Sequence, residues 1–207
     1  MPLAGIILAG GRSSRMDGRD KALLALGGAT LAARAAHRLA PQVGRLALSA
    51  NGDAARFGLV GIDVVADADD SRAGPLAGIL AGLRWAAALS PRPDAVVSVA
   101  VDTPFFPEDL AQRLAAAAAP DTIAVATSAG IRHPTFALWP SGIADALAAY
   151  LAGGGRKAGV FIGAQPHVAV DFPITDGLDP FFNVNTPADF AEAEAIARRL
   201  ETIGRVR

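Results

Sequence analysis

Cysteine is absent from the 207 residues, which removes disulfide staples and thiolate metal sites from consideration. Charge of one sign is equally missing: 19 Lys and Arg stand against 20 Asp and Glu, a net charge of −1. That balance argues against a broad nucleic-acid footprint and leaves a local basic pocket for a small anion as the simpler expectation. No uninterrupted apolar run reaches the roughly 20 residues that a membrane helix needs, and alanine inflates the 52% hydrophobic content. After Met1-Pro2 no basic segment leads into an apolar one, so a cytoplasmic protein without a membrane partner is expected. Lysine is nearly missing too, since only Lys21 and Lys157 of the 19 basic side chains are lysines. A position that keeps a compact ammonium in an arginine-rich chain is a candidate for meeting phosphate as a point charge.

What is present alternates. Short apolar runs bounded by Gly, Pro, Asp or Asn predict strands at 3–8, 45–49, 63–66, 95–101, 123–127, 135–139 and 168–171. Helical patterns fill most of the gaps: from the Thr30 cap to residue 39, 75–89 and 107–118, each of the latter two opened by a proline, then 141–152 and 186–200. Strand and helix in alternation mean crossover connections and a three-layer, doubly wound, mostly parallel Rossmann-like α/β sheet. A chain of this length fills one domain, 1–207. Its pattern loosens after about residue 128, where His133-Pro134-Thr135-Phe136 and Gly153-Gly154-Gly155 suggest a longer excursion with room for an antiparallel strand and a second ligand. The expected division is a nucleotide-binding half, about 1–105, and a less regular substrate-binding half, about 106–207.

The first strand runs straight into Leu8-Ala9-Gly10-Gly11-Arg12-Ser13-Ser14-Arg15-Met16-Asp17-Gly18-Arg19-Asp20-Lys21. The mononucleotide loop (Gly, four residues, Gly-Lys-Ser/Thr) and the dinucleotide G-x-G-x-x-G are both absent from it. Instead, adjacent Gly10 and Gly11 let backbone N–H groups approach phosphate oxygens, and Arg15 and Lys21 add cations along one loop. Those are the parts of triphosphate activation, where catalysis is mostly positioning and charge neutralisation. As an isolated pair, the cations fit a solvated turn equally well. Asp102 closes the apolar strand 95–101 on the same rim, where a carboxylate suits Mg²⁺ and equally suits a turn. Gly74-Pro75-Leu76-Ala77-Gly78 opens a helix whose first N–H groups can face a ligand. Ser49, Asn51 and Asp67 end two further strands, and a carboxylate such as Asp67 suits the N1–H and N2 donors of guanine. In Phe182-Asn183-Val184-Asn185-Thr186-Pro187, Asn185 offers an oxygen to metal or an amide to phosphate at a sound helix entry. Arg156, Lys157 and His133 are candidates for a second anionic substrate, although a lone histidine is more often structural.

In this order and spacing, Leu-Ala-Gly-Gly-x-Ser-x-Arg-Met, Asp-Lys-Ala-Leu-Leu, Gly-Pro-Leu-Ala-Gly, Asp-Thr-Pro, His-Pro and Asn-Val-Asn-Thr-Pro resemble the molybdenum cofactor guanylyltransferase (MobA) family of the nucleotidyltransferase superfamily. The resemblance runs along nearly the whole chain. It implies Mg²⁺-assisted transfer of GMP from GTP to molybdopterin, giving a molybdopterin guanine dinucleotide and pyrophosphate. It also implies a GTP site of Leu8, Ala9, Gly10, Gly11, Lys21, Ser49, Asn51, Asp67, Gly74, Pro75, Leu76 and Asp102. The catalytic residues it implies are Arg15, Lys21 and Asp102, with Asp102 and Asn185 toward metal. His133, Arg156, Lys157, Asn183 and Asn185 fall to the pterin. Partners by resemblance are other molybdenum-cofactor biosynthesis proteins and apo-molybdoenzymes. Ser49 departs from the asparagine common in relatives, making Asn51 the neighbouring candidate, and Asp17 stands where relatives usually carry glycine.

This chemistry is self-consistent without a catalytic triad, because a phosphate monoester nucleophile is largely deprotonated near neutral pH. Two readings compete with it. A cytidylyltransferase acting on the same pterin, or a related nucleotidyltransferase, differs in the base. A non-catalytic GTP- and pterin-binding chaperone has no need to gather Arg15, Lys21 and Asp102 at the phosphates.

Overall fold

The computed structural model describes residues 1–10, 20–58, 61–67 and 74–206. Arg15, Gly11 and Asp17, all singled out above, lie outside them. In chain order the strands are β1 (Leu3–Leu8), β2 (Ala25–Leu26), β3 (Ala29–Thr30), β4 (Arg45–Ser49), β5 (Asp63–Val65), β6 (Ala95–Ala100), β7 (Ile123–Ser128), β8 (Ile131–Pro140) and β9 (His167–Asp171). The helices are α1 (Leu31–Leu39), α2 (Pro75–Ala87), α3 (Leu110–Ala117), α4 (Ala144–Ala152), α5 (Ala158–Gly163) and α6 (Pro187–Val206). Seven strands form one sheet in the order β5-β4-β1-β6-β8-β7-β9, and a separate hairpin pairs β2 with β3. Only β8 runs against the rest of the large sheet, so the doubly wound, mostly parallel expectation holds and the loosened pattern does contain an antiparallel strand.

Apolar content explains the layering. Every residue of β1 after Leu3 is buried, as a central strand covered on both faces demands. One face carries Ile7, Leu48, Val97 and Val99 into a core with α1, α3 and α6; the other carries Ala4, Ile6 and Leu8 against α2 and α4. Helix α2 comes unusually close: a Cβ on Gly82 would stand 2.9 Å from Ile6, and one on Gly78 would stand 2.7 Å from the Ser49 hydroxyl. Two glycines one helical turn apart therefore let the helix sit directly on β1 and β4. Strand β8 is pinned by Trp139, fully buried, whose indole N–H donates to Ser98 Oγ at 2.8 Å. Ser98 in turn donates to the Thr135 carbonyl at 2.8 Å. Burying such a ring is worth about 2–3 kcal/mol, and its polar handle is satisfied.

Some expected bounds shift. The helix expected from Pro107 begins at Leu110, because Pro107 and its neighbours form a tight turn instead. Leu110 N bonds the Pro107 carbonyl at 3.3 Å, and that carbonyl also accepts from Gln42 Nε2 at 3.2 Å. Helix α4 starts at Ala144, after a single 3₁₀ turn over Ser141–Ile143. Strand β8 is longer than expected, reaching from Ile131 to Pro140, with a register irregularity opposite Val125/Ala126. The β2–β3 hairpin and α5 are additions that no motif announced.

Candidate active site

The four adjacent parallel strands β5, β4, β1 and β6 all end on one edge, and at a strand's carboxyl end a parallel sheet leaves room for a ligand. Leu8 and Ala9 finish β1 between neighbours: Ala9 N donates to the Ser49 carbonyl at 2.9 Å, and Val101 N donates to the Leu8 carbonyl at 3.1 Å. These bonds bring the Gly10, Ser49 and Asp102 backbones onto one rim. Two polar corners occupy it.

At the first corner three candidates meet, where β4 and β5 end. Asp67 Oδ1 accepts the Ser49 hydroxyl at 2.5 Å, and its Oδ2 accepts Asn51 Nδ2 at 3.3 Å. Asn51 Oδ1 returns the contact by accepting Asp67 N at 3.0 Å. Gly10 lies under the same carboxylate, where a Cβ would stand 2.9 Å from Asp67 Oδ2. Ser49 is buried while Asn51 is exposed, so the hydroxyl orients the carboxylate from beneath and the amide from the solvent side. A carboxylate held at both oxygens keeps its remaining lone pairs in a fixed direction.

At the second corner, 3.3 Å separates Lys21 Nζ from Asp102 Oδ2, and Lys21 also donates to Asn185 Oδ1 at 2.6 Å. The lysine and aspartate side chains are 19% and 23% exposed, dry enough for a charge-assisted contact to hold its geometry yet open enough to rearrange around a ligand. Asp20 caps the short turn carrying Lys21, with Oδ1 accepting Ala22 N at 3.0 Å. Asn185 is fixed through Asp189, one carboxylate oxygen of which accepts both Asn185 N and Thr186 N at 2.8 Å. Thr186 Oγ1 accepts Asp189 N at 3.1 Å, completing a reciprocal cap on α6. The Asn185 and Thr186 amides accordingly hold the Asp189 carboxyl below its ordinary range. Val184 N donates to the Asp102 carbonyl at 2.8 Å, tying the 182–186 segment to the end of β6.

The remaining candidates fall around these corners. Gly74 is the cap residue of α2 with φ of 63°, Pro75 is the first helical residue, and Leu76 is buried in the core beneath it. Gly78 presses on Ser49, so its part is close packing rather than ligand contact. His133 stacks on Phe181 with ring centroids 4.4 Å apart, and its buried Nε2 has no hydrogen-bond partner among the described residues. Burial lowers its pKa, against an opposing pull from Asp179. Arg156 donates through Nη1 to the Leu151 and Gly155 carbonyls at 2.8 and 2.7 Å, closing the end of α4. Lys157 is the residue before α5, and Asn183 is exposed beside Val184. Asp20 and Arg56 are the polar contributors to which sequence reading gave no role, whereas Thr186-Pro187-Ala188-Asp189 reads in sequence as a helix entry with a capping hydroxyl and an acid in the first turn, as found.

The donor set fits a hard divalent ion. Asp102 gives one carboxylate and Asn185 one amide oxygen, both already aimed at the same cation, and Mg²⁺ commonly takes one or two carboxylates with the rest from phosphates and water. Among the described residues no cluster of three His, Asp, Glu or Cys forms a cage.

The profile of the "MobA-like NTP transferase domain" family matches residues 5–168, the stretch that holds both corners apart from Asn185 and Asp189. The chain belongs to this family. Its MobA-like sequence is 52% identical over 206 residues to the molybdenum cofactor guanylyltransferase of Mesorhizobium japonicum, covering 97% of each chain. It is 49% identical over 197 residues to the molybdenum cofactor guanylyltransferase of Rhodopseudomonas palustris, covering 94% of this chain and 93% of the relative. In fold it resembles molybdopterin-guanine dinucleotide biosynthesis protein A from Archaeoglobus fulgidus, with a TM-score of 0.73 at 23% identity over 95% and 99% of the two chains. As a MobA-like NTP transferase the chain is a nucleotidyltransferase. No described helix is long and apolar enough to cross a membrane.

Proposed function

We propose that this enzyme transfers GMP from GTP to the terminal phosphate of molybdopterin, forming molybdopterin guanine dinucleotide and pyrophosphate. The observation that carries the reading is Lys21 bridging Asp102 and Asn185 beside the Asp67 corner on one rim. It is supported by family membership and by relatives of the same length at about half identity that are molybdenum cofactor guanylyltransferases.

In the proposed reaction a pterin phosphate oxygen attacks the α-phosphorus of GTP. The new P–O bond forms as the bond to the β-phosphate oxygen breaks, and the electron pair leaves with pyrophosphate. The nucleophile is already anionic, so the obstacle is repulsion between two anions and charge on the leaving group. Lys21 is placed to answer it, exchanging Asp102 for phosphate oxygens when substrate enters; Arg15, in the loop before it, is assigned the same task by its position in sequence. Mg²⁺ bound at Asp102, with Asn185 beside it, supplies further neutralisation of the triphosphate. Leu8, Ala9, Gly10 and Gly11 present the β1 end and its loop to the nucleotide, and Asp67 accepts from the guanine N1–H and N2 amino group. Ser49 and Asn51 hold that carboxylate, while Gly74, Pro75 and Leu76 form the neighbouring wall at the start of α2. The pterin is assigned to the half from about residue 106, with His133, Arg156, Lys157, Asn183 and Asn185 as its contacts. A cytoplasmic site of action, and exchange of the pterin with other cofactor-biosynthesis proteins and apo-molybdoenzymes, complete the proposal.

Pyrophosphate release with molybdenum-loaded molybdopterin and either GTP or CTP tests it. Turnover with GTP and little with CTP is expected; equal or greater turnover with CTP makes the enzyme a cytidylyltransferase. Asp102→Ala should abolish cofactor maturation in cells lacking the native enzyme, and full maturation would leave a binding chaperone as the better description.

A further inference from the structure

Between the two corners lies an arginine that neither uses directly. Arg56 sits in a single 3₁₀ turn over Ala54–Phe57, capped by Asp53, and its guanidinium lies 4.4 Å from the ring centroid of Phe57. Phe57 is buried in the core, so the ring is a fixed platform under a planar cation. From there Nη1 donates to the Asn51 carbonyl at 2.7 Å and to the Asp53 carbonyl at 3.3 Å. Nε donates to Asp20 Oδ2 at 3.2 Å. The path crosses Gly52, whose φ is 88° and where a Cβ would stand 2.7 Å from Arg56 Nη1, so a side chain at that position would block it.

Two of these contacts end on residues that hold part of the site. Asn51 is the residue whose side chain exchanges two hydrogen bonds with Asp67. Asp20 caps the turn that presents Lys21, itself in contact with Asp102 and Asn185. A rigid fork with donors in fixed directions can hold two walls at once, which a lysine ammonium does not reproduce. The partners are 36 and 5 residues from Arg56 in sequence, so no local motif encodes the link.

We propose that Arg56 is a positioning residue that ties the base-reading corner at Asp67 to the phosphate-handling corner at Lys21, holding carboxylate and lysine in one fixed register. The proposal rests on the GMP-transfer reading for its substrate, and it predicts a loss of selectivity as well as of rate. Misplacing a charged group by about 1 Å costs up to about 100-fold in rate.

The experiment compares wild type, Arg56→Ala, Arg56→Lys, Asp20→Asn and the Arg56→Ala/Asp20→Asn double variant. It measures pyrophosphate release with GTP and with ITP, which lacks the N2 amino group, and GTP affinity by calorimetry without pterin. For Arg56→Ala we expect a fall of about 10- to 100-fold in kcat/KM for GTP, a smaller fall for ITP, and hence a compressed GTP/ITP ratio, with no rescue by Arg56→Lys. The double variant should be no worse than the poorer single, since both remove one link. An unchanged GTP/ITP ratio, full activity in Arg56→Lys, or multiplicative single effects would each overturn the coupling. Should Arg56→Ala prove unfolded by circular dichroism, Arg56→Lys and Asp20→Asn decide by the same ratio. If wild type binds GTP but makes no dinucleotide, the functional reading fails, and the calorimetric GTP/ITP ratio still judges Arg56.

Discussion

The two corners of the rim are built on opposite plans. At the Asp67 corner the carboxylate is locked by a hydroxyl and an amide from the end of the neighbouring strand β4, and the partners hold one another before any ligand arrives. At the Asp102 corner a flexible lysine makes the contact, reaching from a turn to two oxygens supplied by β6 and by the entry to α6. Strand ends of one sheet are stiff, whereas an ion pair spanning 81 residues, with a further contact spanning 164, depends on three elements staying docked. On the proposed function, the Asp67 corner meets a purine edge, whose hydrogen-bond pattern is fixed, so rigidity serves it, and the Lys21 corner meets the triphosphate. A triphosphate that loses pyrophosphate changes shape and charge, so an exchangeable lysine serves that.

Breaking the phosphate corner should have the largest effect. Lys21→Ala removes the cation facing Asp102 and is expected to lower kcat by about 10²- to 10³-fold, with GTP affinity reduced far less. Lys21→Arg should recover little, because a guanidinium fork does not fit a position shaped for one ammonium between an amide and a carboxylate oxygen. Steady-state kinetics of pyrophosphate release checks both; a loss confined to KM would make Lys21 a binding group only.

Asp67→Asn attacks the rigid corner and should act on selectivity rather than rate. The amide keeps the shape, its oxygen still accepting from Asn51 Nδ2 and its Nδ2 donating to the Ser49 hydroxyl, which can also accept, but it removes the charge and the acceptor lone pairs left for a base. A fall of about 10- to 100-fold in kcat/KM for GTP is expected, corresponding to a charge-assisted hydrogen bond worth about 1.5–3 kcal/mol, with ITP affected less. Equal losses for both nucleotides would remove Asp67 from base reading. Gly10→Ala is the milder form of the same test. Its methyl would stand 2.9 Å from Asp67 Oδ2, so the carboxylate must shift, and KM for GTP should rise by up to about tenfold while kcat stays near wild type.

The same contrast governs what could be read from the sequence. Strand ends were legible because apolar runs stop at polar residues, and that alone brought Ser49, Asn51, Asp67 and Asp102 to one edge. Lys21 stood out because lysine is scarce, and Asn185 because Asn-Thr-Pro opens a helix. The contacts that unite them were not legible: Arg56 with Asp20, Gly78 against Ser49 and Val184 on Asp102 join distant segments whose local patterns are satisfied without them. Helix α5 escaped because Ala158–Gly163 is six residues long and has no side-chain cap. The hairpin Ala25–Leu26/Ala29–Thr30 escaped because its strands are two residues each, too short for alternation to register.

The smallest expected effect concerns His133, on β8, and it concerns stability. Its Nε2 is buried and unpartnered among the described residues, and desolvation lowers its pKa while Asp179 pulls the other way. A histidine whose folded pKa lies below the unfolded value near 6.5 binds protons more readily in the unfolded chain between those two values. Stability from this residue is therefore complete above about pH 6.5 and is lost as pH falls through the folded pKa. Thermal denaturation of wild type should show a midpoint declining below about pH 6.5, and His133→Gln should flatten that part of the profile while leaving the decline near pH 4 and below, where carboxylates such as Asp189 become protonated. If His133→Gln instead parallels wild type across the whole range, the ring is solvated in solution and its stacking on Phe181 does not keep water from Nε2. If the profile flattens and pyrophosphate release also slows at saturating GTP through a raised KM for the pterin, the same buried edge faces the second substrate. The phosphate corner, joined to it through Phe181, Val184 and Asn185, would then be sensitive to which pterin is bound.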